Sequence, residues 1–83
     1  MSVADDFQAS LERINGLGQS PPQADQLKLY GYYKQATQGD AAGKRPGITK
    51  IRDRAKFDAW AKNKGTSKEE AMRQYMRIAD RLT

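Results

Sequence analysis

The chain has 83 residues, which is enough for one small domain and leaves no room for a second core. It contains no cysteine and no histidine, so disulfides are excluded and we expect no metal site. Fifteen lysines and arginines stand against ten aspartates and glutamates, giving a formal net charge of +5. The basic excess lies in residues 41–83, which predicts an anionic partner such as a nucleic acid, a membrane surface or a phosphorylated small molecule.

The hydropathy of the chain predicts no membrane-spanning segment. Mean hydropathy is -0.92, and no apolar run approaches the length needed to cross a bilayer. Residues 1–6 are acidic and lack the basic-then-apolar pattern of a signal peptide. We therefore expect a single soluble domain over residues 1–83 that stays in the cytoplasm.

Two helices are predicted in the first half of the chain. Apolar residues spaced by three and four positions predict the first from about Ser2 to Leu17. The second should begin near Pro22 and run to about Gln38, because proline is tolerated in a first helical turn. Its apolar residues form two stripes, which indicates contacts on two sides.

A long connection follows, from Gln38 to about Lys50. It is rich in glycine and contains Pro46, so a regular element is not expected. Fully extended, such a segment reaches roughly 45 Å, whereas the preceding helix is only ~24 Å long. The connection can therefore return along the bundle, which allows the helices that it joins to be parallel.

The second half of the chain predicts two more helices. The third should run from about Arg52 to Lys64 and end at Gly65, and the fourth from about Ser67 to Leu82. Two pairings fit a capping box at the start of the fourth: Thr66 with Glu69, and Ser67 with Glu70. No stretch alternates between apolar and polar residues, so the expected fold is an all-α four-helix bundle.

Catalysis is poorly supported by the residue types present. Histidine is the commonest acid–base group near neutral pH, and its absence also rules out Ser/His and Cys/His pairs. The carboxylates are scattered among basic residues or lie in the first turns of helices. The chain contains no P-loop pattern and no dinucleotide fingerprint. We therefore expect a binding protein and not an enzyme.

Two groups of residues could bind an anionic ligand. Tyr30, Tyr33 and Lys34 share one helical face, where two rings could stack on a purine and a hydroxyl and an ammonium could meet a phosphate. Arg52 and Lys56 share a face at the start of the third helix, where a bound anion would relieve unfavourable interactions with the helix dipole. Spacing alone favours the simpler interpretation, in which the tyrosines lie at the edge of the core and the cations are solvated.

Five segments then occur in one register along the chain. They are residues 30–37 (YGYYKQAT), 39–40 (GD), 45–47 (RPG), 55–60 (AKFDAW) and 64–72 (KGTSKEEAM). In order and spacing this pattern resembles the acyl-CoA-binding protein family. Phe7 and the region around Pro21 match too, so the resemblance covers nearly the whole chain. The resemblance implies an up-down-down-up four-helix bundle, with a long overhand loop between parallel second and third helices.

The resemblance also implies roles for individual residues. Those matching the family's acyl-CoA site are Tyr30 and Tyr33 at the adenine, Lys34 and Lys56 at the ribose 3′-phosphate, Arg52 close to the ligand, and Tyr75 near the nucleotide. Leu27 and Met72 are implied as residues of the acyl groove. Three departures bear on affinity and chain-length preference: Asn15 replaces a frequent lysine, Leu11 a small residue, and Phe57 a common tryptophan.

The function implied by the resemblance is non-catalytic binding, transport and buffering of medium- to long-chain acyl-CoA. The expected protein is a cytoplasmic monomer without a cofactor, whose partners besides the ligand are enzymes that use acyl-CoA. One alternative is a basic helical nucleic-acid-binding module, whose affinity would fall steeply with salt and ignore acyl length. A catalyst acting on acyl-CoA thioesters is a second alternative, against which the lack of His and Cys argues.

Overall fold

The structure is a computed structural model, and it describes residues 2–83. Its four helices are α1 (Val3–Asn15), α2 (Gln23–Gln38), α3 (Ile51–Ala61) and α4 (Lys68–Leu82). Between Ser2 and Thr83 no strand occurs. The predicted all-α class is therefore confirmed.

Contacts between α2 and α3 show that these two helices are parallel. The ammonium of Lys56 lies over the ring of Tyr30, and that of Lys34 lies over the ring of Trp60. Residue numbers thus rise together along both helices. The long connection makes this arrangement possible, because it carries the chain from the end of α2 back to the level where α2 began.

Contacts between α2 and α4 run in opposite directions. Near the start of α2, the buried Asp25 accepts hydrogen bonds from Arg81 near the end of α4. These bonds hold the pKa of Asp25 below its usual value. Near the end of α2, Nε2 of Gln35 donates to the carbonyl of Thr66, 2.8 Å away and just before α4. The two helices are therefore antiparallel.

The direction of α1 completes the topology. Arg13 forms an ion pair of 2.9 Å with Asp80, and the rings of Phe7 and Tyr75 meet edge to face with centroids 5.2 Å apart. Residue numbers rise together, so α1 and α4 are parallel. The order is up-down-down-up, as the resemblance implied.

The core is small and lies where α4 packs against α1 and α2. Its buried side chains are Phe7, Leu29, Ala36, Ala71, Tyr75 and Ala79. Alanines spaced along α4 let the neighbouring helices approach closely, while the two aromatic rings fill most of the remaining volume. Trp60 is buried separately, on the side where α3 packs against α2.

Two predicted helix ends were wrong by two or three residues. The first helix ends at Asn15 and not at Leu17, and the third at Ala61 and not at Lys64. In the second case the amides of Asn63 and Lys64 donate to carbonyls three residues earlier, at 3.0 and 3.1 Å, and Gly65 then adopts a φ of 88°, which favours glycine. Ser67 caps α4 by accepting a hydrogen bond of 3.0 Å from the backbone of Glu70, which selects the second of the two predicted caps.

The connection between α2 and α3 is attached to α3 by side-chain contacts. The indole Nε1 of Trp60 donates to the carbonyl of Gly39 at 2.8 Å. Farther along, Arg45 donates to both carboxylate oxygens of Asp58 at 2.8 and 2.7 Å. This loop therefore has a defined path across α3, although it contains no helix or strand.

Gly31 lies where α2 approaches α3 most tightly, and we expect Gly31→Ala to be strongly destabilising. A Cβ at this position would lie 2.3 Å from the carbonyl oxygen of Ala59, a backbone atom that cannot move without shifting α3. The expected loss of unfolding free energy is about 1–3 kcal/mol, measured by urea denaturation. Gly18→Ala is the control, because nothing lies within 4 Å of its added Cβ. Equal stability of the two variants would contradict this account of the helix contact.

Candidate functional site

Tyr30 forms a wall shared by three depressions in the surface of the bundle. Its ring is half-buried between α2 and α3. The first depression, between these two helices, has a volume of about 500 Å³. Its other lining residues are Gln23, Gln26, Leu27, Arg52, Ala55 and Lys56. Three of the predicted site residues (Tyr30, Arg52 and Lys56) therefore meet here.

The second depression lies on the other side of Tyr30, against α1. Besides Tyr30 it is lined by Gln8, Leu11, Glu12, Asn15, Leu29, Tyr33 and Tyr75. It brings together the three tyrosines of the predicted site. Leu11 and Asn15, two of the departures from the family pattern, lie in the same wall.

The third depression lies beneath the long connection. It is lined by Tyr30, Pro46, Asp53, Lys56, Phe57 and Trp60. Phe57 and Trp60 stack edge to face with ring centroids 6.1 Å apart. Lys56 and Tyr30 also line the first depression, so the two depressions share a boundary.

Lys56 and Arg52 supply positive charge beside the ring of Tyr30. The ammonium of Lys56 is 5.3 Å from the ring centroid, which is within the range of a cation–π contact. Arg52 lies one helical turn earlier, and both side chains are exposed. Within residues 2–83 neither forms an ion pair. Their charges are therefore available to an anionic ligand next to an aromatic surface.

Tyr33 and Tyr75 differ in how far they reach the solvent. Tyr33 is 39% exposed, while Tyr75 is only 4% exposed and belongs to the core. Burial, and to a smaller extent the neighbouring Tyr33, raises the pKa of the Tyr75 phenol above its usual value. Tyr75 is thus a buried member of the lining of the second depression.

Lys34 lies apart from the tyrosines with which it shares a helical face. Its ammonium is 4.7 Å from the ring centroid of Trp60 on α3, and it lines none of the three depressions. Helical spacing predicted Tyr30, Tyr33 and Lys34 together. In the structure the two tyrosines share a depression, whereas Lys34 turns towards the next helix.

Some residues of these depressions were not identified from the sequence. Gln23 lies four positions before Leu27, and Gln26 four before Tyr30, so the same helical spacing could have found them. Trp60, which is buried where α3 packs against α2, also borders the third depression. Leu27 lines the first depression, but Met72, named with it as a groove residue, is half-buried against the core instead.

Groups that would indicate other kinds of site were also sought. Residues 2–83 contain no cluster of three or more His, Cys, Asp or Glu side chains that could hold a metal ion. In the same part of the chain, no helix is long and apolar enough to cross a membrane. The arrangement around Tyr30 combines aromatic rings, unpaired cations and a few aliphatic side chains such as Leu27 and Ala55, which suits a ligand with an aromatic, phosphorylated head and an apolar part.

A model of the family described as "Acyl CoA binding protein" matches residues 4–79. The chain belongs to the acyl-CoA-binding protein family. This result confirms the resemblance carried by the five sequence segments. The match extends over nearly the whole chain, so the family's fold applies to all four helices.

Rice relatives are similar at the levels of sequence and structure. Acyl-CoA-binding domain-containing protein 3 of Oryza sativa is 50% identical over 92% of this chain, which spans 49% of that protein's length. Acyl-CoA-binding domain-containing protein 1 of Oryza sativa is 49% identical over 92% of this chain, which spans 84% of that protein's length. The crystal structure of Oryza sativa acyl-CoA-binding protein 2 has a TM-score of 0.92 at 41% identity, covering 96% of this chain and 87% of that one.

Proposed function

We propose that this protein binds medium- to long-chain acyl-CoA reversibly and catalyses no reaction. The observation that carries the proposal is the convergence on Tyr30 of aromatic rings, two unpaired cations and a depression whose lining includes Leu27 and Ala55. The residues proposed to hold the CoA head group are Tyr30, Tyr33, Lys34, Arg52, Lys56 and Tyr75. Membership of the family supports acyl-CoA as the ligand class.

The head group of acyl-CoA matches the charge and the rings around Tyr30. Adenine can stack on an exposed tyrosine ring, and the ribose 3′-phosphate can accept hydrogen bonds from ammonium groups. Each charge-assisted hydrogen bond contributes about 1.5–3 kcal/mol net. Because Arg52 and Lys56 have no carboxylate partner in the described residues, no existing ion pair has to break before they bind phosphate.

The acyl chain is proposed to lie in the first depression. Leu27 and Ala55 supply apolar surface there, on facing sides of α2 and α3. Each methylene removed from water contributes about 0.8 kcal/mol, a gain reduced by the cost of immobilising a flexible chain. Recognition of both head and tail would select acyl-CoA over free CoA and over free fatty acid.

A carrier or buffer role follows from the lack of catalytic groups near this ligand site. The chain contains no histidine or cysteine that could attack or activate a thioester. We therefore propose transport and buffering of acyl-CoA by a cytoplasmic monomer that exchanges its ligand with acyl-CoA-using enzymes. Turnover of a labelled thioester by the purified protein would contradict the non-catalytic part.

Isothermal titration calorimetry with palmitoyl-CoA, free CoA and palmitate in parallel tests the ligand class. We expect tight one-to-one binding of palmitoyl-CoA and much weaker binding of both fragments. If palmitoyl-CoA bound no better than free CoA, the acyl groove would be absent and the carrier function would be wrong. Nucleic acid, the alternative ligand for the basic half, would then be titrated at low and high salt.

Lys34→Ala is expected to weaken palmitoyl-CoA binding by about 1.5–3 kcal/mol with little change in stability. Although its ammonium rests over Trp60, Lys34 is only one helical turn from Tyr30, and its flexible stem allows it to reach a phosphate there. Lys28→Ala, on the same helix, removes the same charge from an exposed position outside the three depressions. Equal affinities of the two variants by calorimetry would remove Lys34 from the site.

A further inference from the structure

Two isoleucines are unusually exposed for their size. Ile48 and Ile51 each keep 76% of their surface accessible, far more than any residue of the core. Neither lines any of the three depressions that meet at Tyr30. Scattered single apolar residues are normal on a protein surface, but two large ones three positions apart call for a physical explanation.

The local backbone holds both isoleucines at the start of α3. The amide of Lys50 donates to the carbonyl of Gly47 at 3.0 Å, which closes a turn with Ile48 at its tip. Ile51 is the first residue of α3. Nearby, Arg54 donates to the carbonyl of Pro46, so the turn is tied to the helix that follows it. The turn and the first residue of the helix thus present both isoleucines to solvent.

Three exposed cations lie within a few residues of the two isoleucines in the chain. Lys44, Lys50 and Arg52 are all exposed, and among residues 2–83 none of them forms an ion pair. Asp53 is the exposed carboxylate of this region and leaves the local charge positive. Apolar side chains ringed by free cations match the interface of an anionic bilayer, where the apolar groups enter the acyl boundary and the cations meet lipid phosphates.

We propose that the surface formed by Lys44, Ile48, Lys50, Ile51 and Arg52, here called the docking patch, binds anionic lipid bilayers. Docking is peripheral, since the described helices include none that could span a membrane. A nucleic acid would use the cations but would leave the isoleucines in water. A second copy of the chain would bring like charges together, so the bilayer fits the patch better than either.

Docking would also place the ligand depression close to the membrane. Arg52 belongs both to the docking patch and to the wall of the first depression. This consequence rests on the proposed acyl-CoA site, whereas bilayer binding by the patch does not. The vesicle experiments are therefore done without acyl-CoA, so that failure of one proposal leaves the other testable.

Co-sedimentation with vesicles of phosphatidylcholine, with or without phosphatidylserine, tests the patch. We expect the protein to bind the phosphatidylserine vesicles and to be released by high salt, because the charge attraction is then screened. The double variant Ile48→Ser/Ile51→Ser should lower the bound fraction at least about tenfold, since its apolar side chains no longer enter the membrane. Absence of wild-type binding, or equal binding of the variant, would overturn the proposal.

Matched charge variants separate the patch from the general basicity of the chain. Lys44→Ala/Lys50→Ala should weaken vesicle binding several-fold, at about 1 kcal/mol per cation near the surface. Lys28→Ala/Lys62→Ala removes two exposed lysines outside the patch and should have a much smaller effect. Equal losses from both pairs would show binding by net charge alone and would overturn the assignment to the patch.

Two further measurements on the isoleucine variant exclude other occupants. Its affinity for palmitoyl-CoA should equal that of the wild type. Loss of both vesicle binding and palmitoyl-CoA binding would place the isoleucines in the ligand site and overturn the proposal. Size-exclusion chromatography should show the same oligomeric state for both proteins. A wild-type dimer that the serine substitutions dissociate would assign the patch to a second copy of the chain instead.

Discussion

Tyr30→Ala is expected to weaken palmitoyl-CoA binding by about 2–3 kcal/mol, roughly 30- to 150-fold. The Tyr30 ring lines three depressions, so its removal would change the shape of all three. It also takes away the aromatic surface beneath the ammonium of Lys56, 5.3 Å from the ring centroid. Calorimetric titration of the folded variant measures the loss.

Tyr32→Ala is the matched control for this change. Tyr32 is half-buried like Tyr30, but it packs against the core and lines none of the three depressions. Its loss should lower stability and leave ligand affinity nearly unchanged at temperatures where the protein is folded. If both variants lost the same affinity, the effect would come from weakened packing and not from a ligand contact of Tyr30.

Trp60→Ala is expected to lower the free energy of unfolding by about 3–5 kcal/mol. The indole is 8% exposed. Its Nε1 donates to the carbonyl of Gly39, and its ring contacts Phe57 and the ammonium of Lys34. Truncation would leave a cavity between α2 and α3 and release the start of the long connection. Small domains are marginally stable, so a loss of this size removes much of the total free energy of unfolding.

Trp60→Phe separates the two contributions of this residue. Phenylalanine keeps most of the buried ring but cannot donate a hydrogen bond to Gly39. The free energy of unfolding should therefore fall by about 1 kcal/mol for the lost hydrogen bond, with a small further loss from packing. Chemical denaturation of the three proteins gives the comparison. An alanine variant as stable as the wild type would show that Trp60 does not hold α3 against α2.

The architecture of this protein was largely predictable from its sequence. Helical spacing located all four helices, because the apolar stripe of each is a property of neighbouring residues. The helix ends were predicted less accurately. Residues 62–64 were expected to belong to the third helix, but in the structure they form turns that precede Gly65. The directions of the helices came from the resemblance, and contacts such as that between Arg81 and Asp25 agree with them.

The candidate site was predictable only in part. Spacing placed Tyr30 beside Tyr33, and Arg52 beside Lys56, because both pairs lie on one face of a single helix. It could not show that α3 would bring Trp60 under the ammonium of Lys34. The composition of each depression depends on which faces of different helices meet, and that is set by the packing of the whole chain.

The sequence by itself determined the four helices, the absence of disulfides and the ligand class implied by family membership, since these follow from local spacing and residue type. Only the tertiary structure decided which residues meet. It brought Gly31 against the carbonyl of Ala59 and left Ile48 and Ile51 in solvent. The physical reason is that helix periodicity repeats every few residues, whereas contacts between helices join residues far apart in the chain.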